Sequence, residues 1–465
     1  MTLIKSISGI RGTIGGPSGD NLTPIDAVKY AAAYGVWIKA QSHGQNHKVV
    51  VGRDARISGA MIQELVMQTL VGLGIHVIDL GLSTTPTVEI AVPLEKAQGG
   101  IILTASHNPK QWNALKLLNA AGEFLNAEAG QEILILAESK DLVFSPVDEL
   151  GFIEKNDTYI QQHIDQILKL PMVDTDAIKK AGFKIVVDAV NSTGGISIPP
   201  LLTALGVEVV PLYCTPNGEF PHNPEPLKEH LTDLMDQVLA HKADLGVVVD
   251  PDVDRLAFVD EHGAMFGEEY TLVAVADYIL RHHPGHTVSN LSSSRALGDV
   301  ATKLGGQYHA SAVGEVNVVT MMKETNAVIG GEGNGGIIYP ELHYGRDSLV
   351  GLALFLSHLA QMNLSVSALR KTYPNYEMSK KKLALTADLD VDAILATITD
   401  LYADDQPIIV DGVKIDFAHS WVHLRKSNTE PIIRIYTEAQ TQNEADLLAD
   451  RFIEELQNVA ARLKK

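Results

Sequence analysis

One order of elements occurs three times in this 465-residue chain, and it constrains the fold more than any single residue does. Each copy has an apolar strand, a helix with apolar residues at 3.6-residue spacing, a Leu-Gly pair and a second strand. The copies run from Lys48 to Ile78, from Lys184 to Val210 and from Thr287 to Tyr308. Glycine after the last helical turn can adopt the left-handed conformation that ends a helix, so the chain reverses into the next strand. The repetition predicts three related α/β domains.

Each copy is followed by another apolar strand that leads into a polar loop. These strands end at Leu103, Val249 and Gly330. In open α/β sheets, ligands bind beyond the carboxyl ends of the strands. We therefore expect each of the three domains to present one loop to a shared central cleft.

From about Met378 the pattern changes to strands first and a helix last, which is typical of an α+β domain. Strands are predicted near Ile408–Val410, Lys414–Phe417, Trp421–Leu424 and Ile432–Tyr436. The predicted fold class is thus α/β, with three related mixed-sheet α/β domains and a C-terminal α+β domain around a central cleft. Clusters of turn and polar residues divide these domains into residues 1–154, 155–257, 258–374 and 375–465.

Composition narrows the class of ligand. The formal net charge of −20 disfavours a nucleic-acid partner but allows a small phosphorylated ligand if basic residues gather in one cleft.

No apolar stretch approaches the ~20 residues that span a bilayer, and the N-terminus lacks the apolar core of a signal peptide. Cys214 is the only cysteine, so no intrachain disulfide can form. We expect a cytoplasmic protein without a membrane partner, either a monomer or a homodimer.

The segment from Asp250 to Arg255 places three carboxylates at alternate positions directly after an apolar run. Side chains that alternate along an extended turn point the same way, so the oxygens of Asp250, Asp252 and Asp254 can converge on one small hard cation such as Mg²⁺. A calcium loop of the EF-hand type would need glycine where Arg255 stands, and a solvated acidic turn would rarely have three aspartates at strict spacing. The pattern therefore predicts one metal site per chain, and a bound ion of this kind usually serves a phosphate.

Ser106 lies in the turn Thr104-Ala105-Ser106-His107, where an exposed hydroxyl and nearby backbone N–H groups could face an anion. It is a candidate nucleophile, with His107 beside it and Lys116 close enough in sequence to shuttle a proton or contact a phosphate. A Ser-His pair in a turn is more often a helix cap or a hydrogen-bonded turn, so the catalytic interpretation depends on the other loops.

Two further loops have the composition of a sugar site and of a phosphate site. The glycine-dense turn from Gly330 to Gly336 carries Glu332 and Asn334, which could hydrogen-bond sugar hydroxyls, although an inert flexible turn is equally compatible with it. Its spacing is not that of a dinucleotide-binding loop. The second loop combines cations with short hydrogen-bond donors, as a phosphate requires, at Arg425, Ser427, Asn428 and Thr429.

The sequence context of the remaining arginines indicates a functional role for some of them and a structural role for others. Arg11 stands near glycines that allow close approach to a ligand, and Arg255 follows the aspartates. Arg434 could bind substrate or form a structural ion pair. Arg53 and Arg56 are expected only to brace Asp54.

The motifs SGIRG, TASHNP, DPDVDR, GEGNGG and RKSNTEP occur in this order over the whole chain, which resembles the α-D-phosphohexomutase superfamily. The resemblance implies four domains around a cleft, a phosphorylated serine, one Mg²⁺, and reversible transfer of phosphate between O6 and O1 of a hexose through a hexose 1,6-bisphosphate. It gives Ser106 the role of phosphoserine, and it makes that phosphoserine and the three aspartates the metal ligands. It also implies that Arg11 and Lys116 assist proton transfer and stabilise charge, and that Glu332 and Asn334 bind the sugar. The phosphate that does not react would be anchored by Arg425, Ser427, Asn428 and Thr429.

The chain departs from the bacterial pattern of this superfamily. Asn334 replaces a serine and Gly336 replaces a histidine of the sugar loop, so His343 is the candidate for the missing imidazole. Ala114 and Asn428 stand where glycine is usual. These variants resemble an archaeal-type branch and bear on the sugar, for which we expect glucosamine phosphate ahead of glucose or mannose phosphate. A Mg²⁺-dependent sugar-phosphate phosphatase and a non-catalytic sugar-phosphate sensor are the alternatives from other classes.

Overall fold

The computed structural model describes residues 2–6, 9–41, 47–139, 142–384, 390–426 and 432–463. The chain divides into two compact units. One comprises Met1–Ile279 and Asn334–Arg370, and the other comprises Leu280–Gly333 and Lys371–Lys465. None of the helices in the described ranges is long and apolar enough to cross a membrane.

The N-terminal segment forms a mixed sheet with helices on both faces. Its elements are β1 (Ile4–Ser6), β2 (Gly9–Thr13), α1 (Pro24–Gln41), β3 (Lys48–Arg53), α2 (Gly59–Gly72), β4 (His76–Leu82), α3 (Thr85–Leu94), β5 (Gly99–Leu103), β6 (Trp112–Leu118), α4 (Ala127–Glu138), a 3₁₀ turn (Val147–Glu149) and β7 (Ile153–Lys155). The strand order is β1-β2-β6-β5-β3-β4-β7, with β4, β3 and β5 parallel and β6 antiparallel to β5.

The uninterrupted apolar run of β3 is explained by burial of both faces of this sheet. Val49 and Val51 pack in the cluster that contains residues of α1 and α2. Val50 points to the opposite face and packs with residues of α3. Successive side chains of a strand alternate between faces, so both faces of β3 are apolar.

The second segment repeats this plan with fewer strands. It contains α5 (Tyr159–Ile167), α6 (Thr175–Ala181), β8 (Lys184–Asp188), α7 (Gly194–Ala204), β9 (Glu208–Leu212), a 3₁₀ turn (Lys228–His230), α8 (Thr232–His241), β10 (Leu245–Val249) and β11 (Leu256–Asp260). The sheet has the order β11-β10-β8-β9, in which only β11 is antiparallel to its neighbour. Strand β11 continues to Asp260, beyond the domain boundary predicted at residue 257.

The third segment contains α9 (Glu268–His282), β12 (His286–Asn290), α10 (Ala296–Lys303), β13 (Gln307–Ser311), α11 (Glu315–Thr325), β14 (Ile329–Glu332), β15 (Gly336–Ile338), α12 (Ser348–Met362) and α13 (Val366–Arg370). Strand β12 pairs in parallel with both β13 and β14. The threefold order of strand, helix and strand predicted from the sequence is therefore confirmed. Residues 258–374, predicted as one domain, are shared between the two compact units.

The C-terminal segment is an antiparallel sheet covered by helices. It contains β16 (Glu377–Ala384), α14 (Val391–Leu401), a 3₁₀ turn (Ala403–Asp405), β17 (Val413–Asp416), β18 (Trp421–Lys426), β19 (Ile432–Ala439) and α15 (Gln442–Leu463). The strand order is β16-β19-β18-β17.

One predicted strand of this segment is wrong, and one strand was missed. Ile408–Val410 is not a strand, because Ile408 forms only an isolated bridge with Lys414 and the two residues after it are exposed. The run is apolar, but a turn through Gly412 follows at once and leaves it without a sheet partner. Strand β16 is not predicted from the sequence, because its three consecutive lysines interrupt the alternation of apolar and polar residues that indicates a strand. Lysines of this kind are common on edge strands.

Candidate active site

The loop after β5 presents Ser106 in a constrained conformation. Ser106 has a φ of 49°, in the left-handed region that non-glycine residues rarely adopt. Its backbone N–H donates to Thr104 Oγ1 at 2.9 Å, and its hydroxyl donates to Asp250 Oδ2 at 2.7 Å. His107 Nδ1 lies 3.3 Å from the same hydroxyl oxygen. The serine is thus held in hydrogen-bond contact with the predicted metal site.

Arg56 fixes the backbone of this loop. Its side chain is completely buried and forms an ion pair with Asp54 at 2.9 Å. The guanidinium also donates to the carbonyl oxygens of Ser106, Asn108 (2.6 Å), Pro109 (2.7 Å) and Trp112 (3.1 Å). The predicted bracing of Asp54 is correct but incomplete. Because the acceptors are backbone carbonyls distant in sequence, no residue pattern could have indicated this second role.

The turn after β10 brings the three aspartates together. All three carboxylates are fully buried, and one oxygen from each lies within 4.8 Å of the others. Val253 has a φ of 66°, which bends the turn so that the backbone N–H groups of Asp254 and Arg255 donate to Asp250 Oδ1, each at 3.1 Å. The convergence predicted from alternate spacing is confirmed, although a left-handed turn rather than a continuing strand produces it.

In Asp252 and Asp254, one carboxylate oxygen accepts hydrogen bonds from the protein and the other has no partner. Asp252 Oδ2 accepts from Thr85 Oγ1 at 2.6 Å and from Lys116 Nζ at 2.7 Å, whereas its Oδ1 is buried with no hydrogen-bond partner. Asp254 Oδ2 accepts from Lys116 Nζ at 3.3 Å and from Arg346 Nη2 at 2.8 Å, and its Oδ1 is likewise unpartnered. Buried polar atoms are nearly always satisfied. These two oxygens therefore fit the ligand set of a cation.

The electrostatics of the cluster favour a cation as well. Burial, together with the charges of Asp254 and Asp252, raises the pKa of Asp250 well above its usual range. Burial by itself would lower the pKa of Lys116, but the carboxylates of Asp252 and Asp254 outweigh it and raise that pKa. Lys116 thus remains an ammonium ion at neutral pH. Oxygen-only ligands suit a hard cation such as Mg²⁺.

Two other predicted residues lie near Ser106. Arg11 Nη1 donates to Asn108 Oδ1 at 2.9 Å, on the serine loop itself. Burial lowers the pKa of His107 to about 2, with contributions from the charges of Arg255 and Arg11, so its imidazole is neutral at physiological pH. Arg255 forms an ion pair with Glu225 at 3.4 Å.

Arg346 is a residue of this site that the sequence did not reveal. It is buried in the segment between β15 and α12, and it contacts Asp254 as described above. A single arginine in a Gly-Arg-Asp run carries no recognisable motif, so only the folded chain brings it to the aspartates.

His343 faces an acidic cluster of its own. Its Nε2 lies 3.3 Å from Asp347 Oδ2, and its Nδ1 lies 3.4 Å from Glu89 Oε2. Asp347 also interacts with His163 Nε2 at 2.9 Å and accepts from two backbone N–H groups at the start of α12. The predicted role of His343 toward the sugar stays a prediction.

The other predicted substrate residues are distributed over both units. Glu332 is buried and accepts from Asn290 Nδ2 at 2.8 Å and from the Gly314 N–H at 3.2 Å. Asn334 Oδ1 accepts from the Gly336 N–H at 3.2 Å.

On the C-terminal sheet, Arg425 pairs with Asp411 at 2.9 Å, and Arg434 is the register partner of Arg425 on the neighbouring strand. Asp411 was not singled out from the sequence. The predicted residues Ser427, Asn428 and Thr429 lie outside the described ranges.

Comparison with known families matches all four parts of the chain. Residues 3–143, 161–263 and 267–376 match the families described as phosphoglucomutase/phosphomannomutase, alpha/beta/alpha domains I, II and III, and residues 375–455 match the corresponding C-terminal domain.

Whole-chain relatives agree with the domain matches. A phosphoglucomutase/phosphomannomutase of Thermococcus kodakarensis is 37% identical and covers 93% of this chain and 95% of its own. A probable phosphoglucosamine mutase of Methanopyrus kandleri is 34% identical and covers 96% of each. A solved phosphoglucomutase/phosphomannomutase family protein of Burkholderia thailandensis is 26% identical, with a TM-score of 0.83 over 99% of this chain and 98% of its own. The chain therefore belongs to the phosphoglucomutase/phosphomannomutase family of intramolecular phosphotransferases.

Proposed function

We propose that this protein interconverts hexose 6-phosphate and hexose 1-phosphate through a phosphoserine at Ser106 and a hexose 1,6-bisphosphate intermediate. The observation that carries the proposal is the hydrogen bond of 2.7 Å from the Ser106 hydroxyl to Asp250. It joins a strained, buried nucleophile to a cluster of three carboxylates with two unpartnered oxygens. Phosphoryl transfer relies on positioning and charge stabilisation, and these residues supply both.

In the first half-reaction, the bond between Ser106 Oγ and phosphorus breaks as a sugar hydroxyl oxygen bonds to the same phosphorus. The sugar hydroxyl loses one proton and Ser106 Oγ gains one, so the proton balance closes. The bisphosphate then turns over, and its other phosphoryl group returns to Ser106 by the reverse step. In that return Ser106 Oγ loses its proton and the departing sugar oxygen gains one, while His107 Nδ1, neutral and 3.3 Å from Ser106 Oγ, contacts the attacking oxygen.

The cations of the site act by charge. Lys116, held as an ammonium ion by its two carboxylate partners, stabilises negative charge on the moving phosphoryl group and does not act as a base. Arg11 reaches the same loop through Asn108. Asp250, Asp252 and Asp254, with the phosphate on Ser106, would hold one Mg²⁺, which supplies charge neutralisation on the phosphoryl oxygens.

The remaining predicted residues bind the parts of the substrate that do not react. We propose that Arg255, Glu332, Asn334 and His343 contact the sugar. The second phosphate is assigned to Arg425 and Arg434 together with Ser427, Asn428 and Thr429. The burial of the Glu332 carboxylate and its fixed hydrogen bonds support a preorganised contact. We also propose that the enzyme is a cytoplasmic monomer or homodimer, which cell fractionation and analytical ultracentrifugation test.

For the sugar, we propose glucosamine phosphate as the preferred substrate, with glucose or mannose phosphate as the alternative. The relative that is 34% identical is a probable phosphoglucosamine mutase, and the relative that is 37% identical is a phosphoglucomutase/phosphomannomutase. The test is turnover of glucosamine 6-phosphate, glucose 1-phosphate and mannose 1-phosphate side by side, with Mg²⁺ and a hexose 1,6-bisphosphate activator. Highest kcat/KM for glucosamine 6-phosphate supports the preference, and absence of turnover with all three refutes the proposed activity.

The same assay distinguishes a mutase from the two alternatives, a sugar-phosphate phosphatase and a non-catalytic sensor. A sugar-phosphate phosphatase would release inorganic phosphate in step with substrate loss, whereas a mutase conserves the phosphate in its product. A non-catalytic sensor would bind the sugar phosphate without converting it. We expect isomerised sugar phosphate with negligible inorganic phosphate.

A further inference from the structure

We propose that Arg346 is a positioning residue of the carboxylate centre, where it orients Asp254 and offsets part of the negative charge that attracts the metal ion. The inference deepens the proposed function and rests on it only for the identity of the reaction. Arg346 Nη2 donates to Asp254 Oδ2 at 2.8 Å, and Lys116 Nζ reaches the same oxygen at 3.3 Å. With Oδ2 engaged twice, the unpartnered Oδ1 is the oxygen that remains for a cation.

A glycine makes room for this arginine. An ideal Cβ built at Gly336 would lie 2.3 Å from Arg346 Cδ, far inside van der Waals contact. Any larger residue at position 336 would therefore displace the arginine from its path to Asp254. Gly336 stands where the related bacterial pattern has a histidine, so the stem of Arg346 occupies space next to that position.

Contacts of the residues before and after Arg346 hold this segment in place. Gly345 lies against Glu89, because a Cβ at Gly345 would be 1.9 Å from Glu89 Oε2. Asp347 caps the N-terminus of α12 and is held by His163 at 2.9 Å. The Ser348 N–H donates to the carbonyl of Val253 at 3.2 Å, which ties this segment directly to the aspartate turn. Arg346 is thus a fixed part of the centre.

The proposed role has a signature that a simple structural role lacks. Removal of a guanidinium from a buried carboxylate leaves more negative charge at the site and releases Asp254 Oδ2 from one of its two cationic donors, so that Lys116 alone still contacts it. Both changes strengthen binding of a divalent cation. Turnover falls at the same time, because Asp254 loses its fixed orientation and the moving phosphoryl group loses a nearby positive charge.

The experiment compares wild type, Arg346→Met and Arg346→Lys, with Mg²⁺ affinity measured by calorimetry on full-length protein of matched phosphoserine content. We expect Arg346→Met to bind Mg²⁺ about tenfold more tightly and to lose about tenfold or more in kcat. Arg346→Lys, which keeps the charge without the planar fork, should fall between them. Arg53→Met is the matched control, because Arg53 bonds Gln63 and a backbone carbonyl instead of a predicted metal ligand. Its Mg²⁺ affinity should equal that of wild type.

A second variant tests the same inference if Arg346→Met fails to fold. Gly336→Ala should reproduce the tighter Mg²⁺ binding and slower turnover to a smaller extent, and it should have no further effect in the Arg346→Met background, where no bond from residue 346 to Asp254 is left to break. Mg²⁺ affinity that is unchanged or weaker in Arg346→Met overturns the inference. The calorimetric result does not depend on turnover, so failure of the mutase assay in wild type would refute the proposed reaction and leave this inference to be judged by Mg²⁺ binding.

Discussion

The Ser106 hydroxyl donates a hydrogen bond of 2.7 Å to Asp250 Oδ2, across 144 residues of sequence. The contact joins the loop after β5 to the turn after β10, two strand ends that occupy equivalent places in repeated α/β segments. The proposed nucleophile and a carboxylate of the proposed metal site thereby become part of one buried cluster. A phosphate on Ser106 would enter the same cluster, so phosphorylation and metal binding should depend on each other.

Ser106→Ala should abolish turnover and remove a covalent phosphate adduct of ~80 Da. It should also weaken Mg²⁺ binding even though all three aspartates remain, since a phosphate ligand is lost. Intact mass spectrometry and calorimetry measure the two effects. Ser357→Ala is the matched control, because this buried serine donates to the Ala353 carbonyl within α12 and should retain the adduct. Equal Mg²⁺ affinity in Ser106→Ala and phosphorylated wild type would show that the phosphoserine is not a ligand.

Asp250→Asn should raise the stability of the metal-free protein and remove most of the stabilisation by Mg²⁺. Burial and the charges of Asp254 and Asp252 raise the pKa of Asp250, so its ionised form destabilises the metal-free protein. The amide removes that charge, and we expect a higher Tm than wild type in EDTA. With Mg²⁺ at about 100 times its Kd, wild type should gain about 2.7 kcal/mol, whereas Asp250→Asn should gain little. Scanning fluorimetry at a fixed heating rate gives both comparisons. A full Mg²⁺ response in the variant would exclude Asp250 as a ligand.

Arg56→Lys should slow catalysis through displacement of the Ser106 loop. Lysine cannot donate to four loop carbonyls and to Asp54 simultaneously, so Ser106 should lose its fixed position. Misplacement of a reacting group by about 1 Å can reduce the rate about 10²-fold, and we expect a fall of that order in kcat with a nearly unchanged KM.

Arg53→Lys, a neighbouring arginine without bonds to the loop, serves as the control for Arg56→Lys and should keep the wild-type kcat. A rise in KM alone in Arg56→Lys would point to substrate binding instead of loop positioning.

His423 should make the C-terminal segment sensitive to acid. Its Nε2–H donates to the Asp411 carbonyl at 2.6 Å, and its Nδ1 accepts from the Ser292 hydroxyl at 2.9 Å. Burial lowers the pKa of His423 to about 4. Above pH 6.5 both folded and unfolded forms are neutral. Between pH 6.5 and about 4 only the unfolded form takes up the proton, so stability falls as the pH falls, by about 2 kcal/mol at pH 5.

The variant His423→Gln tests this dependence, because its amide can keep both hydrogen bonds but cannot take up a proton in this range. We expect the decrease in Tm from pH 7.5 to pH 5.0 to be smaller in the variant than in wild type. Parallel decreases in the two proteins would show that other groups control the acid sensitivity.

The sequence identified the parts of the site that depend on local geometry. Alternate spacing at a strand end was enough to predict that Asp250, Asp252 and Asp254 converge, and a serine in a turn after a buried strand was enough to nominate Ser106. The repeated strand-helix-strand order gave the three related segments for the same reason, since backbone period and glycine caps act over a few residues. The sequence was less informative at the strand near Ile408, where the absence of a sheet partner outweighed an apolar run.

The tertiary structure alone decided which distant groups meet. The guanidinium of Arg56 bonds backbone carbonyls that carry no sequence signal, and Arg346 reaches Asp254 only because Gly336 leaves space for its stem. Long side chains can reach many partners, so their contacts depend on how whole segments pack. The sequence by itself therefore determined the class of chemistry through short-range pattern, whereas long-range packing decided which cations balance the aspartates and which oxygens remain for a metal ion.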